Sequence, residues 1–540
     1  MSRSFNLADL FEIVAAAVPD KPAIVAGDRR LTYRELDERA NRFAHHLAAQ
    51  GVGPGDTVSV LAYNRAEWLE AQIGAYKLRA VPVNVNYRYT AGELAYVVGD
   101  SNSVALVGER SLLARLGEAR GKLADLRHVI VIEDGSDDAV PDAVEYETAL
   151  AARDPGNDFG ERSEDDLYLL YTGGTTGMPK GVMWRHVDIF MAAMWGGNLI
   201  GDPIPTPETL STKVLDGGLT TMVCAPLMHG AGMWVAWVAL TSGSTLVLWT
   251  GRSFDARQVL TIAAREKAVS LLAVGDVMAR PLIAELEARP GEYDLSALLV
   301  IATGGAATSP DVKARLHELI PTLLMVLDAF GGSETGASGQ AVEPSADGHP
   351  RFMPRGSDTA VLDHALRPVP PGSDEIGQLA RRGHIPLGYW NDEEKTRRTF
   401  VTDADGVRWA LQGDMARVDA DGAIVMLGRG SLVINTGGEK VFVEEVEAAL
   451  KTHPAVYDAL VVGVPDELLG SRVVAAVSLA PDASGGSGGV DASVSAEELI
   501  AHTRRKLAGY KAPREVRIVD EVRRSPAGKA DYRWAKGLYE

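Results

Sequence analysis

Leu36, Ala40, Phe43 and Leu47 recur at three- and four-residue intervals among polar neighbours, the spacing that gathers apolar side chains on one face of a helix. Thr32-Tyr33-Arg34-Glu35 places capping-box spacing in front of that pattern, and Gly51 ends it. The period then changes. Val58–Leu61 reads as a strand, the Ala-rich stretch Glu67–Leu78 as a helix and Val81–Val85 as a buried strand, so strands and helices alternate and an α/β sheet is predicted. Alternation continues through the apolar run Leu167–Tyr171 to about residue 330. Between Gly356 and Leu427 short strands and turns take over, which predicts a small β-barrel-like subdomain over 356–427. After Gly430 the pattern restarts with a helix burying Val446, Ala449 and Leu450 and strands at Ala459–Val464 and Val473–Leu479. The run Ser484–Gly489 is flexible by composition and reads as a loop before a helix opened by Ser495 and Glu498. The expected organisation is an N-terminal domain, 1–429, of αβ-layered subdomains plus the β-rich one, followed by a small α+β C-terminal domain, 430–540.

Composition narrows the partners. With 46% hydrophobic residues the 540-residue chain can bury several cores, and a net charge of −19 repels polyanions, so nucleic acid is an unsuitable partner. Cys224 is the single cysteine and has no partner for an internal disulfide, which fits a reducing compartment; the cytoplasm is the expected location. No run of about 18 apolar residues predicts a transmembrane segment, and no basic-then-apolar leader opens the chain. Peripheral membrane contact stays open, because a hydrophobic substrate would be collected there.

The densest chemistry lies in Thr172-Gly173-Gly174-Thr175-Thr176-Gly177-Met178-Pro179-Lys180-Gly181. Glycines let backbone N–H groups turn towards an anion, threonine hydroxyls add donors, and a lysine brings a point charge to phosphate oxygens. An ordinary surface turn needs far fewer such residues. The P-loop of kinases and NTPases needs Gly before its lysine and Ser or Thr after it, and Pro179 and Gly181 stand there instead. A second unusual stretch, Gly217–Gly251, contains no Asp, Glu, Lys or Arg but holds Met222, Met228, Met233, Trp234, Trp237 and Trp249. It is either an apolar tunnel, which the resemblance given below would make an acyl tunnel, or buried core. An amino-acid substrate would need a carboxylate to pair its ammonium, and this stretch offers none.

Taken with Phe330-Gly331-Gly332-Ser333-Glu334-Thr335, Gln412-Gly413-Asp414, Gly428-Arg429-Gly430 and Ser525-Pro526-Ala527-Gly528-Lys529, the threonine-rich loop resembles the adenylate-forming acyl-CoA synthetases of the ANL superfamily. Gly181–His186, Gly275–Pro281 and Ser525–Lys536 are similar to the actinobacterial fatty-acid and steroid side-chain CoA ligases. The resemblance implies ATP, magnesium and coenzyme A as co-substrate, and a mobile C-terminal domain. It implies that Thr172, Gly173, Gly174, Thr175, Thr176, Gly177 and Lys180 hold the β- and γ-phosphates, with Thr172 also serving catalysis. Phe330 would stack on adenine, with Gly304, Gly305 and Ala306 along the other face and Gly331 beside them. Ser333, where the family usually has threonine, would touch the α-phosphate, and Glu334 would be the magnesium ligand. Asp414 would bind the ribose with help from Arg429, and His229 would line the acyl and adenylate site. Lys529 would bridge the attacking carboxylate and the α-phosphate, and Gly438, after Gly437, would line the pantetheine channel. Ser431 departs from the Asp or Lys usual at the hinge pivot. The expected reaction makes an acyl-adenylate and then an acyl-CoA from a large hydrophobic acid. Transfer to a carrier protein, or an inactive ligand-binding homologue, are the alternatives, and a homodimer is left open.

Overall fold

The computed structural model describes residues 3–172, 178–198, 201–214, 218–304, 308–345, 349–429, 432–436, 439–466, 470–480, 494–507, 509–525 and 529–540. The α/β class expected from the alternating pattern is the one observed, and the chain divides into two compact units.

The first unit comprises Met1–Ser338 and Gly383–Phe400. Its opening helix-forming period becomes the helix Tyr33–Ala49, with both halves of the capping box made: Thr32 N–H donates to Glu35 Oε2 at 2.7 Å and Glu35 N–H to Thr32 Oγ1 at 3.2 Å. Leu36, Ala40, Phe43 and Leu47 are fully buried, as their spacing requires. They face the helix Ala66–Lys77, which is buried all round. Gly74 permits the crossing, since a Cβ there would stand 2.7 Å from Ala40 O and 2.9 Å from Phe43 Cδ1. Thr90 and Glu93 form a second capping box on the helix Ala91–Asp100.

Behind these helices lies a sheet of eight strands among the described residues, in the order Gly388–Tyr389, Lys180–Arg185, Leu167–Thr172, Val81–Asn84, Thr57–Leu61, Ser103–Glu109, His128–Ile132, Ala143–Glu145. The hairpin Leu167–Thr172/Lys180–Arg185 and the added strand Gly388–Tyr389 are antiparallel, and the remaining pairs are parallel. A second, mainly parallel sheet runs Met325–Gly332, Val300–Thr303, Ser270–Ala273, Thr220–Val223, Thr245–Leu248, Pro22–Ala26, with Arg29–Thr32 antiparallel at its end.

The short strands expected over 356–427 are there, but the helix Glu393–Thr399 lies among them and Gly383–Phe400 returns to the first unit. The reason is hydrogen-bond completion. Leu387 N–H donates to Met183 O at 2.7 Å and Trp390 N–H to Gly181 O at 2.8 Å, covering an edge that would otherwise leave backbone groups unpaired.

The second unit comprises Gly339–Arg382 and Val401–Glu540. An antiparallel ladder joins Thr359–Leu362, Gly377–Arg381, Arg408–Val418, Ile424–Arg429 and Arg351–Pro354. A three-stranded sheet follows, Val456–Asp466 antiparallel to Gly470–Leu479 and that strand parallel to Glu515–Val519. Val446, Ala449 and Leu450 of the helix Val443–Lys451 are buried, as expected, and Val446 and Leu450 share a core cluster with Val461, Val473 and Leu499. Ser495 caps the helix Ala496–Lys506, and the run Ser484–Gly489 lies outside the described residues. Among the described residues no helix is long and apolar enough to cross a membrane.

Two buried polar clusters mark the first unit. Lys77 is fully buried and bridges Glu12 at 2.6 Å and Asp37 at 2.8 Å, while Arg162 meets Asp9 at 2.7 Å and Glu12 at 2.6 Å. Burial pushes the Glu12 carboxyl up, but the Lys77 and Arg162 cations overcome it and hold the group at about 2. In the other cluster His46 Nε2 lies 2.8 Å from His128 Nε2, so one ring donates to the other. Burial lowers both, and the neighbouring His128 and Arg153 help bring His46 to about 4. A folded-state value below that of the unfolded chain means the unfolded state takes up protons first. Stability should therefore be intact above pH 6.5 and fall as pH drops from 6.5 towards 4. Thermal unfolding across that range should show the loss, and His46→Gln should flatten the slope.

Candidate functional site

The strand Leu167–Thr172 rises from the sheet interior and ends at Thr172, directly across the hairpin from Lys180. Thr172 and Lys180, the first and last residues expected to hold phosphate, thus stand opposite each other on one rung, fixed by register. Gly173, Gly174, Thr175, Thr176 and Gly177 lie outside the described residues. Tyr171 fastens the end of the strand: its N–H donates to Asn84 Oδ1 at 2.7 Å, and its hydroxyl donates to Asp100 at 2.7 Å. Asn84 Nδ2 donates in turn to Tyr171 O at 2.8 Å and Met228 O at 2.7 Å. One buried amide thereby ties the strand Leu167–Thr172 to the turn before His229.

His229 is half-buried at the N-cap of the helix Gly230–Thr241, with Met233 N–H donating to its carbonyl at 3.0 Å. Asn64 holds the same turn through Ala225 O at 3.1 Å and Leu227 N–H at 2.7 Å. Gly304 approaches the first turn of that helix, since a Cβ on it would lie 3.9 Å from Ala231 Cβ. Gly305 and Ala306 lie outside the described residues, but the loop's root is anchored. Buried Asp328 accepts from Thr303 Oγ1 at 2.9 Å and Thr308 N–H at 3.3 Å, and pairs with Lys313 at 3.2 Å. Within the charge-free stretch Met222, Met228, Met233, Trp237 and Trp249 are core side chains, Trp237 Nε1 donating to Gln72 at 2.9 Å, while Trp234 is half-buried.

Phe330 is half-buried on the strand Met325–Gly332, whose end turns through Ser333 and Glu334. The turn needs glycine at 331, because any Cβ there would collide with Gly336 O. Trp184 Nε1 donates to Ser333 O at 3.0 Å. Tyr389, delivered by the returning strand, donates its hydroxyl to Glu334 Oε1 at 2.7 Å and is itself covered by Lys395, whose ammonium stands 4.0 Å from the ring centre. A carboxylate oriented through one oxygen suits a hard divalent cation at the other. Lys180 Nζ stands 3.1 Å from Asp392 Oδ2, and that hydrogen bond holds the ammonium above the ordinary lysine range.

In the second unit Asp414 and Arg429 face each other as partners across the antiparallel pair Arg408–Val418/Ile424–Arg429, and the Asp414 side chain is buried. Lys529 is exposed on a small hairpin: Ser525 N–H donates to Lys529 O at 2.7 Å, Lys529 N–H to Ser525 Oγ at 3.1 Å, and Arg524 pairs with Ala530. Arg524 clamps the hairpin base to Asp458 through two bonds of 2.6 and 2.9 Å. Ser431, Gly437 and Gly438 lie outside the described residues.

A model of the AMP-binding enzyme family matches residues 11–390, and its C-terminal domain model matches 445–529. The chain belongs to the AMP-binding enzyme family. Among family members it is 45% identical to the medium/long-chain-fatty-acid–CoA/3-oxocholest-4-en-26-oate–CoA ligase of Mycolicibacterium smegmatis, over 99% of this chain and 97% of that protein. It is 43% identical to the 3-oxocholest-4-en-26-oate–CoA ligase of Rhodococcus rhodochrous, over 99% and 96%. Among solved structures it resembles the anthranilate CoA ligase AuaEII in complex with anthranoyl-AMP, with a TM-score of 0.83 and 25% identity, covering 100% of this chain and 99% of the other.

Sequence reasoning missed Asn64, Asn84, Asp328, Tyr389 and Asp392. The one local signal was an asparagine within or shortly after an apolar run, at Asn84 in Val81–Val85 and at Asn64 beyond Val58–Leu61. Tyr389 and Asp392 reach the hairpin and the Glu334 turn only through the long-range pairing of Gly388–Tyr389.

Proposed function

We propose that this AMP-binding enzyme is an ATP-dependent acid–thiol ligase that activates a large hydrophobic carboxylic acid, a long-chain fatty acid or a steroid side-chain acid, and passes it to coenzyme A. The observation that carries the reading is the pairing of Thr172 with Lys180 at the mouth of the hairpin, in the same unit as the Glu334 turn. The full-length similarity to CoA ligases for fatty and cholestenoic acids supports the choice of acid and acceptor. So does the lack of Asp, Glu, Lys and Arg over Gly217–Gly251, which offers no counter-ion for a charged substrate tail.

In this reading the substrate carboxylate attacks the α-phosphorus of ATP, pyrophosphate leaves, and the thiol of coenzyme A then displaces AMP from the acyl group. Lys180 and Thr172, with Gly173, Gly174, Thr175, Thr176 and Gly177, neutralise the departing phosphates. Phe330 and Gly331, with Gly304 to Ala306, hold the adenine, Ser333 the α-phosphate, and Asp414 with Arg429 the ribose. Lys529 offsets the charge that builds on the reacting oxygens, His229 lines the acyl site without acting as a base, and Gly438 admits the pantetheine arm. Glu334 would hold magnesium, which when bound supplies charge neutralisation for the triphosphate. The two functional domains are proposed as 1–429 and 430–540, with the reaction in the cytoplasm.

The test is direct. Purified protein given ATP, magnesium, free CoA and palmitate or a cholestenoate should yield the acyl-CoA by mass spectrometry. Release of AMP with no thioester would reassign the acceptor to a carrier protein, and the absence of both products would leave only a binding role.

A further inference from the structure

Asp392 is placed with care by a segment remote in sequence from the hairpin it serves. Gly388 and Tyr389 pair with Met183 and Val182, and Trp390 Nε1 and Asn391 Nδ2 both donate to Asp100 O at 2.9 Å. Asp392 comes next, with its two carboxylate oxygens divided between two tasks. Oδ1 accepts from Lys395 N–H at 3.0 Å, capping the helix Glu393–Thr399, and Oδ2 lies 3.1 Å from Lys180 Nζ. Neither side chain is sealed in: Lys180 is 33% and Asp392 21% exposed, so water and an incoming anion can reach the pair.

A lysine ammonium is a compact, hydrated charge on a flexible stem and changes partners readily. A single carboxylate oxygen offers it one negative charge, whereas a triphosphate offers several, so the exchange runs towards the nucleotide. We propose that Asp392 is a positioning residue for the triphosphate site: it holds the Lys180 ammonium at the cradle as a stand-in for phosphate, and ATP must displace it, so Asp392 sets nucleotide affinity. The inference rests on the reading of Thr172 to Lys180 as the triphosphate cradle. Its consequence is selectivity by charge, since an anion that cannot outbid the carboxylate leaves the ammonium where it is.

Asp392→Asn isolates the effect, because asparagine caps a helix about as well as aspartate and only the charge is lost. Partly exposed ion pairs are worth up to about 1 kcal/mol, so this variant should bind a non-hydrolysable ATP analogue about two- to fivefold more tightly than wild type in calorimetric titration with magnesium. The thermal midpoint should fall by no more than about 2 °C, the cost of one partly exposed ion pair. Asp392→Ser, uncharged and also capping, guards against an idiosyncrasy of the amide. The same titration in a Lys180→Met background separates the possible failures. A gain confined to the background that retains Lys180 supports the proposal. Unchanged or weaker binding by both Asp392 variants overturns it, as does an equal gain in both backgrounds, which would mean that Asp392 repels phosphate directly. If Lys180→Met alone leaves nucleotide affinity untouched, the cradle reading itself falls and takes this inference with it.

Discussion

Lys529→Ala should lower the rate of acyl-adenylate formation by about a hundred- to a thousandfold, the size of effect seen when one group aimed at developing charge is removed. Conversion of a supplied acyl-adenylate to the thioester should proceed near the wild-type rate. The hairpin itself should survive the change, because the bonds that close it run from Ser525 N–H to the Lys529 carbonyl and from Lys529 N–H to Ser525 Oγ, and neither uses the ammonium. Its base is clamped separately by Arg524 and Asp458. Pyrophosphate release follows the first half-reaction, and acyl-CoA formation from synthetic acyl-adenylate follows the second. Equal loss of both would show that Lys529 supports the whole module rather than the first chemical step.

Lys77→Met should destabilise the first unit by about 3–5 kcal/mol, the cost of leaving buried charges without their partner. Lys77 is the common counter-ion of Glu12 on the helix Leu7–Ala17 and Asp37 on the helix Tyr33–Ala49, and it sits at the end of a third helix, Ala66–Lys77. Methionine fills similar space and offers no charge. The sign with pH follows from Glu12. Its folded-state value is depressed to about 2 from 4.5, so the stabilisation it brings is present above pH 4.5 and is lost as pH falls towards 2. The penalty of the variant should therefore be largest near neutrality and shrink over that window. Urea unfolding at a series of pH values reads this, and substrate KM at 25 °C should change little because the carboxylates that Lys77 holds, Glu12 and Asp37, lie on the helices Leu7–Ala17 and Tyr33–Ala49. A penalty independent of pH would mean that packing, not charge, is what Lys77 provides.

What could be read from the residues alone was whatever is encoded locally. Thr32 and Glu35, three residues apart, make the capping box that their spacing announces, and the apolar period of Leu36 to Leu47 becomes a buried helix face. Leu167–Thr172 and the strands about Ala459 and Val473 likewise follow from unbroken apolar runs. The residues proposed for the site stood out where glycines flank them, as around Thr172, Glu334, Asp414 and Lys529. The residues that hold them did not. Asn84 has no neighbour in sequence that hints at Met228, and Tyr389 reads as one aromatic among others until the strand it occupies is paired with Lys180–Arg185. The charge-free stretch is the case where pattern under-determined structure, since buried methionines and tryptophans have the same spacing whether they fill a core or edge a tunnel.

The excursion of Gly383–Phe400 also sets rules for cutting and splicing this chain. A truncation after Ser338 would strip the outermost strand from the eight-stranded sheet and with it the hydroxyl on Glu334 and the carboxylate on Lys180. A graft that exchanges 339–429 as one cassette would import a foreign Tyr389 and Asp392 into a resident hairpin. Chimeras should therefore carry 383–400 with the amino-terminal parent, so that exchanging the second unit places recombination joints at three places in the chain rather than one.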